Sequence, residues 1–501
     1  RSHRPRIALL VARAHGALGH DEQAVHWARR AVREQEGLER RLGEHAGALG
    51  MDRARDAIVG GALDLVLEHA GDDAPRLGLR LLMGLREGSV FDDLLHGRRR
   101  AVREDVRTAL ARLRDRLLGS GGAPDDVRTA PLRKEIRRLE RRLRLETTPE
   151  ALPRAIAFSP RRSSPRAWAR VAGGRPLIAY LRRSGTWAAF VVDARGRPRY
   201  VELPDAESAL RDAWIPLRML FEALARSPRP ARARLLERTA DEARGALHTM
   251  ASALWNPIGV DAAEAVVVSN PAINGMALEA ALVEHHGTSA PVVSRIPHPD
   301  LLLPGRSATV RRALLVEGTV PGARREIRAI DRRLRRAGWQ TRTTDSRDGV
   351  LAADQRLGVV HVAAHGTFHR ERWLSNGIRL RDGWLGFEQL DPRRVQNALL
   401  VFDSCESGLA NEAPGAELDG WATASFAAGA DETLLHLWKV DDASATRFMS
   451  AFYDAFVEDV PTAAAVQRAR HVVRADHPHP FTWASAVLSS RRPFVGGSAP
   501  G

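Results

Sequence analysis

Two short apolar runs organise the C-terminal part of the 501-residue chain. Gly358-Val-Val-His-Val-Ala-Ala364 stops at His365-Gly366, and Ala398-Leu-Leu-Val-Phe402 stops at Asp403-Ser-Cys405-Glu-Ser-Gly408. Runs this short, aliphatic or β-branched and followed at once by polar and glycine residues, predict buried parallel strands with functional groups at their carboxyl ends. The same pattern predicts strands at 310–316, 340–344, 433–438 and 483–489, separated by helices at 321–339, 348–356, 415–428, 443–457 and 461–475. An insert at 373–390 reads as a hairpin around Arg381-Asp-Gly383. Upstream, strands are predicted at 176–181, 186–192, 199–203 and 263–269, with helices at 205–226 and 230–254. Alternation of this kind implies an α/β fold with a mostly parallel, doubly wound sheet.

The N-terminal part has helical periodicity instead. Residues 6–33 read as a helix pair turning at Leu18-Gly19, and 52–70 and 76–96 continue as amphipathic helices. Their small-residue spacing resembles tetratricopeptide repeats, with most of the aromatic positions of that consensus missing. One such repeat cannot bury its own face, and the chain starts at Arg1 inside a helical pattern, so further repeats upstream are expected. From 97 to 147 the charge density rises into Arg- and Glu-laced helices, broken by Gly119-Ser-Gly-Gly-Ala-Pro124, which reads as a solvated connector.

Composition changes this picture little. The net charge of +15 would ordinarily raise nucleic acid as a partner. Lysine occurs only at Lys134 and Lys439, so the charge is nearly all arginine, as a GC-rich coding bias produces. No basic stripe interleaved with aromatics is visible, and nucleic acid is disfavoured. A single cysteine allows no intramolecular disulfide, so a reducing, cytoplasmic location is expected. No apolar stretch approaches a membrane span, no metal-ligand spacing stands out, and no cofactor is expected.

The chemistry lies at the two strand ends. A lone cysteine is more often an inert core residue than a nucleophile, but Cys405 follows the end of its apolar run. His361 sits mid-strand and reads as packed or hydrogen-bonded; His369 lacks the strand-end and glycine context of His365. The pair is separated by 40 positions (405 − 365), one α/β unit of chain. An imidazole and a thiol delivered to one sheet edge form a base and nucleophile.

These segments resemble the two catalytic blocks of the CHAT family, caspase-like cysteine peptidases commonly fused to tetratricopeptide repeats. Leu437-Trp438-Lys-Val-Asp441-Asp442 and His479-Pro480-Phe-Thr-Trp483-Ala484 resemble later blocks in the same order, and coverage runs from about 155 to 490. The resemblance implies a caspase-like module whose N-terminal half, 151–300, is pseudo-protease-like and whose C-terminal half, 301–492, is catalytic. Helical repeats at 1–96 and the connector at 97–150 precede it, and a flexible tail at 493–501 follows. It implies Cys405 as nucleophile and His365 as general base and acid, with backbone N–H groups of Gly366 and Cys405 forming the oxyanion hole.

The block differs from most of the family in carrying Asp403 two residues before the cysteine, as metacaspases do, where that aspartate lines the S1 pocket. Asp441 and Asp442 resemble the acidic pair of separases. Together they imply cleavage after Arg, or Lys, through a bidentate carboxylate contact. Helix capping is the competing role for Asp441 or Asp442, and Glu406 is expected at the surface or as a gate. The family further implies a prokaryotic signalling or defence effector. Its expected partners are an activator engaging the helical repeats and a protein substrate, for instance a gasdermin-like pore-forming protein. The alternatives are a catalytically silent scaffold and a nucleic-acid-activated module using the 97–147 helices.

Overall fold

The computed structural model describes residues 3–42, 51–84, 98–101, 104–119, 130–145, 148–151, 164–183, 185–269, 271–304, 310–320, 322–352, 355–364, 366–367, 377–386, 389–390, 394–403, 422, 425–426, 428–438 and 442–492. Helices of eight or more residues and all strands are numbered in chain order.

Four helices come first: α1 Arg4–Ala17, α2 Asp21–Leu42, α3 Met51–His69 and α4 Ala74–Gly84. The small residues Ala8, Ala12, Ala28, Ala31 and Ala62 sit fully inside and let α1, α2 and α3 approach closely around Leu9, Ile58 and Val66. The charged segment holds α5 Glu104–Gly119 and α6 Ala130–Leu145, as expected. It also holds an antiparallel pair that helical reading missed, β1 Arg98–Ala101 with β2 Thr148–Ala151. Register places Arg99 opposite Glu150.

The remaining strands build one large sheet and a small one. The strands of the first half are β3 Leu177–Arg183, β4 Thr186–Val192, β5 Pro198–Leu203, β6 Glu264–Val268 and β7 Val292–Ile296. Helices α7 Ile215–Arg226, α8 Arg229–Leu254 and α9 Leu278–His286 belong to this half. The second half contains β8 Arg312–Glu317, α10 Ala323–Arg336, β9 Gln340–Thr344, β10 Val359–Ala363, β14 Leu399–Phe402 and β15 Glu432–His436. It ends with α11 Asp442–Phe456, α12 Thr462–Asp476 and β16 Ala486–Ser490. The predicted hairpin is β12 Gly377–Leu380 with β13 Gly383–Gly386, turning at Arg381-Asp382, and β11 Gly366–Thr367, outside the predicted insert, pairs with β12 as a third strand.

The large sheet has 11 strands in the order β5-β4-β3-β6-β7-β16-β15-β14-β10-β8-β9. Its second half therefore reads 2-1-3-4-5-6 in its own strand count, the doubly wound order whose carboxyl edge carries function, with β16 as the added sixth strand. Strand β16 runs parallel to β7 and antiparallel to β15, so it joins the two halves into one sheet with opposed directions. The stretch 483–489, expected to be wholly strand, starts with a short helix Pro480–Trp483, and the strand follows from Ala486. Proline at the first helical position, with His479 Nδ1 accepting the Phe481 N–H, makes that turn.

The pleat decides which residues face which layer. Val359, Ala363, Leu399, Val401 and Leu434 pack with α10 and α11, whereas Val360, Val362, Leu400, Phe402 and Leu435 pack against the small sheet. Among the described residues, no helix is long and apolar enough to cross a membrane.

Two glycines are needed where they stand. Gly322 caps the N-terminus of α10 at φ +87°. Gly318, after β8, donates its N–H to Ala363 O at 2.8 Å, and a Cβ there would lie 2.5 Å from Ala364 Cα. Backbone cannot give way as a flexible side chain would. Gly318→Ala should therefore cost about 1–3 kcal/mol, read as a lower urea midpoint at unchanged m-value.

Candidate functional site

Strands β10 and β14 are parallel neighbours, paired Val359↔Leu399 through Val362↔Phe402. The backbone N–H of Asp403 donates to Val362 O at 3.0 Å and carries the pairing one step beyond Phe402. His365 is three residues past Val362 and Cys405 three past Phe402; both residues lie outside the described ones. Gly366 opens β11, and its register partner is Ile378. Asp441 and the side chain of Asp442, the first residue of α11, also lie outside the described residues, as do Glu406 and His369.

Just inside these strand ends is a buried polar cluster. Alternation puts His361, Asp403 and His436 on the face covered by α10 and α11. The His361 ring is fully buried; its Nε2 lies 2.7 Å from Glu326 Oε1 and its Nδ1 3.1 Å from the Tyr453 hydroxyl. His436 Nδ1 lies 2.7 Å from Ser485 Oγ, and its Nε2 approaches Asp403 Oδ1 to 2.9 Å. That last approach is off-axis, a close polar contact rather than an aligned hydrogen bond. Asp403 is also hydrogen-bonded to Glu326. Two carboxyl groups can share a hydrogen bond only with a proton between them. The arrangement that satisfies His361 has the tyrosine hydroxyl donating to Nδ1 and Nε2–H donating to Glu326.

The electrostatics follow from burial. Burial pushes His361 down to about 4; the Asp403 charge opposes this and His436 adds to it. Burial works against an ionised Asp403, but the hydrogen bond from Glu326 and the close His436 ring outweigh it and hold the carboxyl below its usual range. Burial, with the Glu326 and Asp403 charges behind it, raises the Tyr453 hydroxyl well above its ordinary value.

The lowered His361 has a consequence for stability. Between pH 6.5 and about 4 the unfolded chain takes up a proton on this ring that the folded chain refuses. Stability should thus fall as pH drops through that window, by up to about 3 kcal/mol from this group, and then flatten. Burial also takes His479 down to about 4, so it adds loss in the same window. Urea denaturation of wild type and His361→Gln at pH 7 and pH 4.5 checks this: the variant should lose less stability on acidification.

These placements bear on several sequence-based readings. His361 is packed and hydrogen-bonded, as its mid-strand position implied. Asp403, expected in the S1 pocket, stands at the end of β14 beside His436 and Glu326. Its side chain is 2 % exposed and turned inward onto His436 and Glu326. Sequence reasoning missed Glu326, His436 and Tyr453. The signal for the first was visible: Glu326 shares the inward face of α10 with Ala323, Ile327 and Ile330, where an acid needs a partner.

The equivalent edge of the first half is filled by Arg295 of β7, fully buried. Its Nε and Nη2 donate to the two Glu279 carboxylate oxygens at 2.7 Å each, and Nη1 and Nη2 donate to the carbonyls of Asn274 at 3.0 Å and Met276 at 2.6 Å. An arginine so occupied is a structural post. Among the described residues no group of three or more His, Cys, Asp or Glu side chains could hold a metal.

A doubly wound α/β sheet with histidines and carboxylates gathered at the carboxyl edge of its central strands defines the class. The chain belongs to the CHAT domain family, whose model matches residues 218–491, more than half of its length. No curated protein matches the chain. Among solved structures, the Saccharomyces cerevisiae separase–securin complex is similar at 11 % identity and TM-score 0.48, covering 93 % of this chain and 40 % of that one. The Arg-specific cysteine proteinase gingipain R is similar at 10 % identity and TM-score 0.34, covering 52 % and 70 %. The chain thus spans about 40 % of the length of the separase chain. Membership of the CHAT family supports a cysteine-protease type of function.

Proposed function

We propose that the chain is a cysteine endopeptidase using a His365–Cys405 dyad. The observation that carries this reading is the register of β10 and β14, in which Val362 pairs with Phe402 and each functional position follows three residues later. In this reading the Cys405 thiolate attacks the scissile carbonyl. His365 takes the thiol proton and then gives it to the leaving amine, while N–H groups of Gly366 and Cys405 receive the oxyanion.

The proposal extends to cleavage after Arg, or Lys. With the Asp403 carboxylate turned inward, the acidic contact to P1 is assigned to Asp441 and Asp442, which follow β15. The substrate is a particular protein, for which a gasdermin-like pore-forming protein is a candidate, in prokaryotic signalling or defence. Activation runs through the N-terminal helices. Their contact with the sheet supports this: Gly78 of α4 packs on Phe190 of β4, and Asp64 of α3 pairs with Arg183 of β3 at 2.6 Å.

Labelling with peptidyl chloromethyl ketones tests the reading. A probe with P1 Arg should alkylate Cys405, located by mass spectrometry, and Asp441→Asn with Asp442→Asn should weaken it selectively. Equal labelling by a P1 Asp probe contradicts the basic specificity. Labelling that survives His365→Ala at full rate contradicts the dyad.

A further inference from the structure

We propose that His436 is a positioning residue for the nucleophile, acting through the Asp403 carboxylate; this rests on the peptidase reading above. Asp403 is the last described residue before Cys405 and stands two positions from it. Its backbone is tied to β10 by the hydrogen bond to Val362 O, and its side chain is held from two sides, by His436 of β15 and Glu326 of α10.

His436 is itself fixed. Ser485 Oγ holds its Nδ1 at 2.7 Å, the ring meets Phe448 of α11 edge-on at 5.8 Å, and Leu437 N–H donates to Ser485 O at 2.8 Å. The groups facing the His436–Asp403 contact are therefore Glu326 from α10, His361 from β10, Phe448 and Tyr453 from α11, and Ser485 ahead of β16. Apart from Phe448, each is polar and buried or nearly so.

Stability alone does not account for such a cluster. Burying carboxyl and imidazole groups costs several kcal/mol in desolvation, and well-packed apolar residues of the same volume commonly stabilise as much or more. What the polar contacts add is direction. They fix the rotation of one carboxylate, and with it the backbone at the end of β14. A dyad needs its sulfur and imidazole held to within a fraction of an ångström, and a shift of about 1 Å there can cost 10²-fold in rate.

The chain offers a clean readout, because Cys405 is its only thiol. The test measures iodoacetamide alkylation of the native full chain against pH for wild type, His436→Leu, His436→Gln and Ser485→Ala, with peptidase kinetics alongside. The dyad reading expects a wild-type alkylation midpoint below the ordinary cysteine value of about 8.5. His436→Leu should move that midpoint up towards 8.5 and lower kcat by about 10²-fold, with KM within about twofold. His436→Gln, which keeps an N–H at the Nε2 position, should recover most of the loss. If His436→Leu does not fold, Ser485→Ala carries the test, with a shift in the same direction. A wild-type midpoint below 8.5 that neither His436→Leu nor Ser485→Ala moves overturns the proposal. A wild-type thiol titrating like free cysteine, with no cleavage, removes the peptidase reading and this proposal with it.

Discussion

Arg295→Ala should destabilise the fold by about 3–5 kcal/mol, enough to unfold most of a chain of ordinary stability. The reason is what the change leaves behind. Glu279 is 2 % exposed and would become a buried carboxylate with no counter-ion, and the carbonyls of Asn274 and Met276 would lose their donors. At present burial works against the charged Glu279, but the Arg295 charge and hydrogen bonds outweigh it and hold its carboxyl below the usual range. Removing the arginine reverses that balance. Replacing both partners with apolar residues, Arg295→Met with Glu279→Leu, should recover much of the loss because no charge is then stranded. Urea denaturation followed by tryptophan fluorescence compares the three proteins directly. A single variant within 1 kcal/mol of wild type would contradict the role given to this pair.

The largest effect on function is expected at the dyad. Cys405→Ala and His365→Ala should each lower kcat/KM by 10³-fold or more, and the double variant should be no worse than the more damaged single one. Nucleophile and base act as one unit, so removing either removes the same step. His361→Gln, by contrast, should leave turnover at pH 7.5 within a few-fold of wild type, because His361 is enclosed by Glu326 and Tyr453 and reaches no substrate. Progress curves on one peptide substrate separate these outcomes. A His361 variant as inactive as the His365 variant would exchange the roles assigned to the two histidines.

Much of the fold was legible because strand burial writes itself into the sequence. The runs ending at Ala363 and Phe402 are, His361 apart, apolar on both faces, as strands covered by two layers must be, and their adjacency followed from one α/β unit of intervening chain. Strand β7 was missed because Val292–Ile296 carries a serine and an arginine, and only the Glu279 pairing makes Arg295 a core residue. The strand expected to begin at Trp483 begins at Ala486, since the Pro480 turn was not recognised. At the site, the contacts of Asp403 were not legible for a related reason. Nothing local shows that the pleat brings its carboxylate to His436, 33 positions away (436 − 403).

The central claim is that this CHAT chain cleaves peptides through Cys405 with a basic preference. Turnover of fluorogenic peptides with P1 Arg, Lys, Asp, Leu and Ala, run beside Cys405→Ala and in the presence of candidate activating proteins, tests it most directly. The account predicts cleavage of the Arg substrate, weaker cleavage of the Lys one, and loss of both in Cys405→Ala. Arg cleavage that persists without the cysteine, or a preference for Asp or Leu, would contradict it.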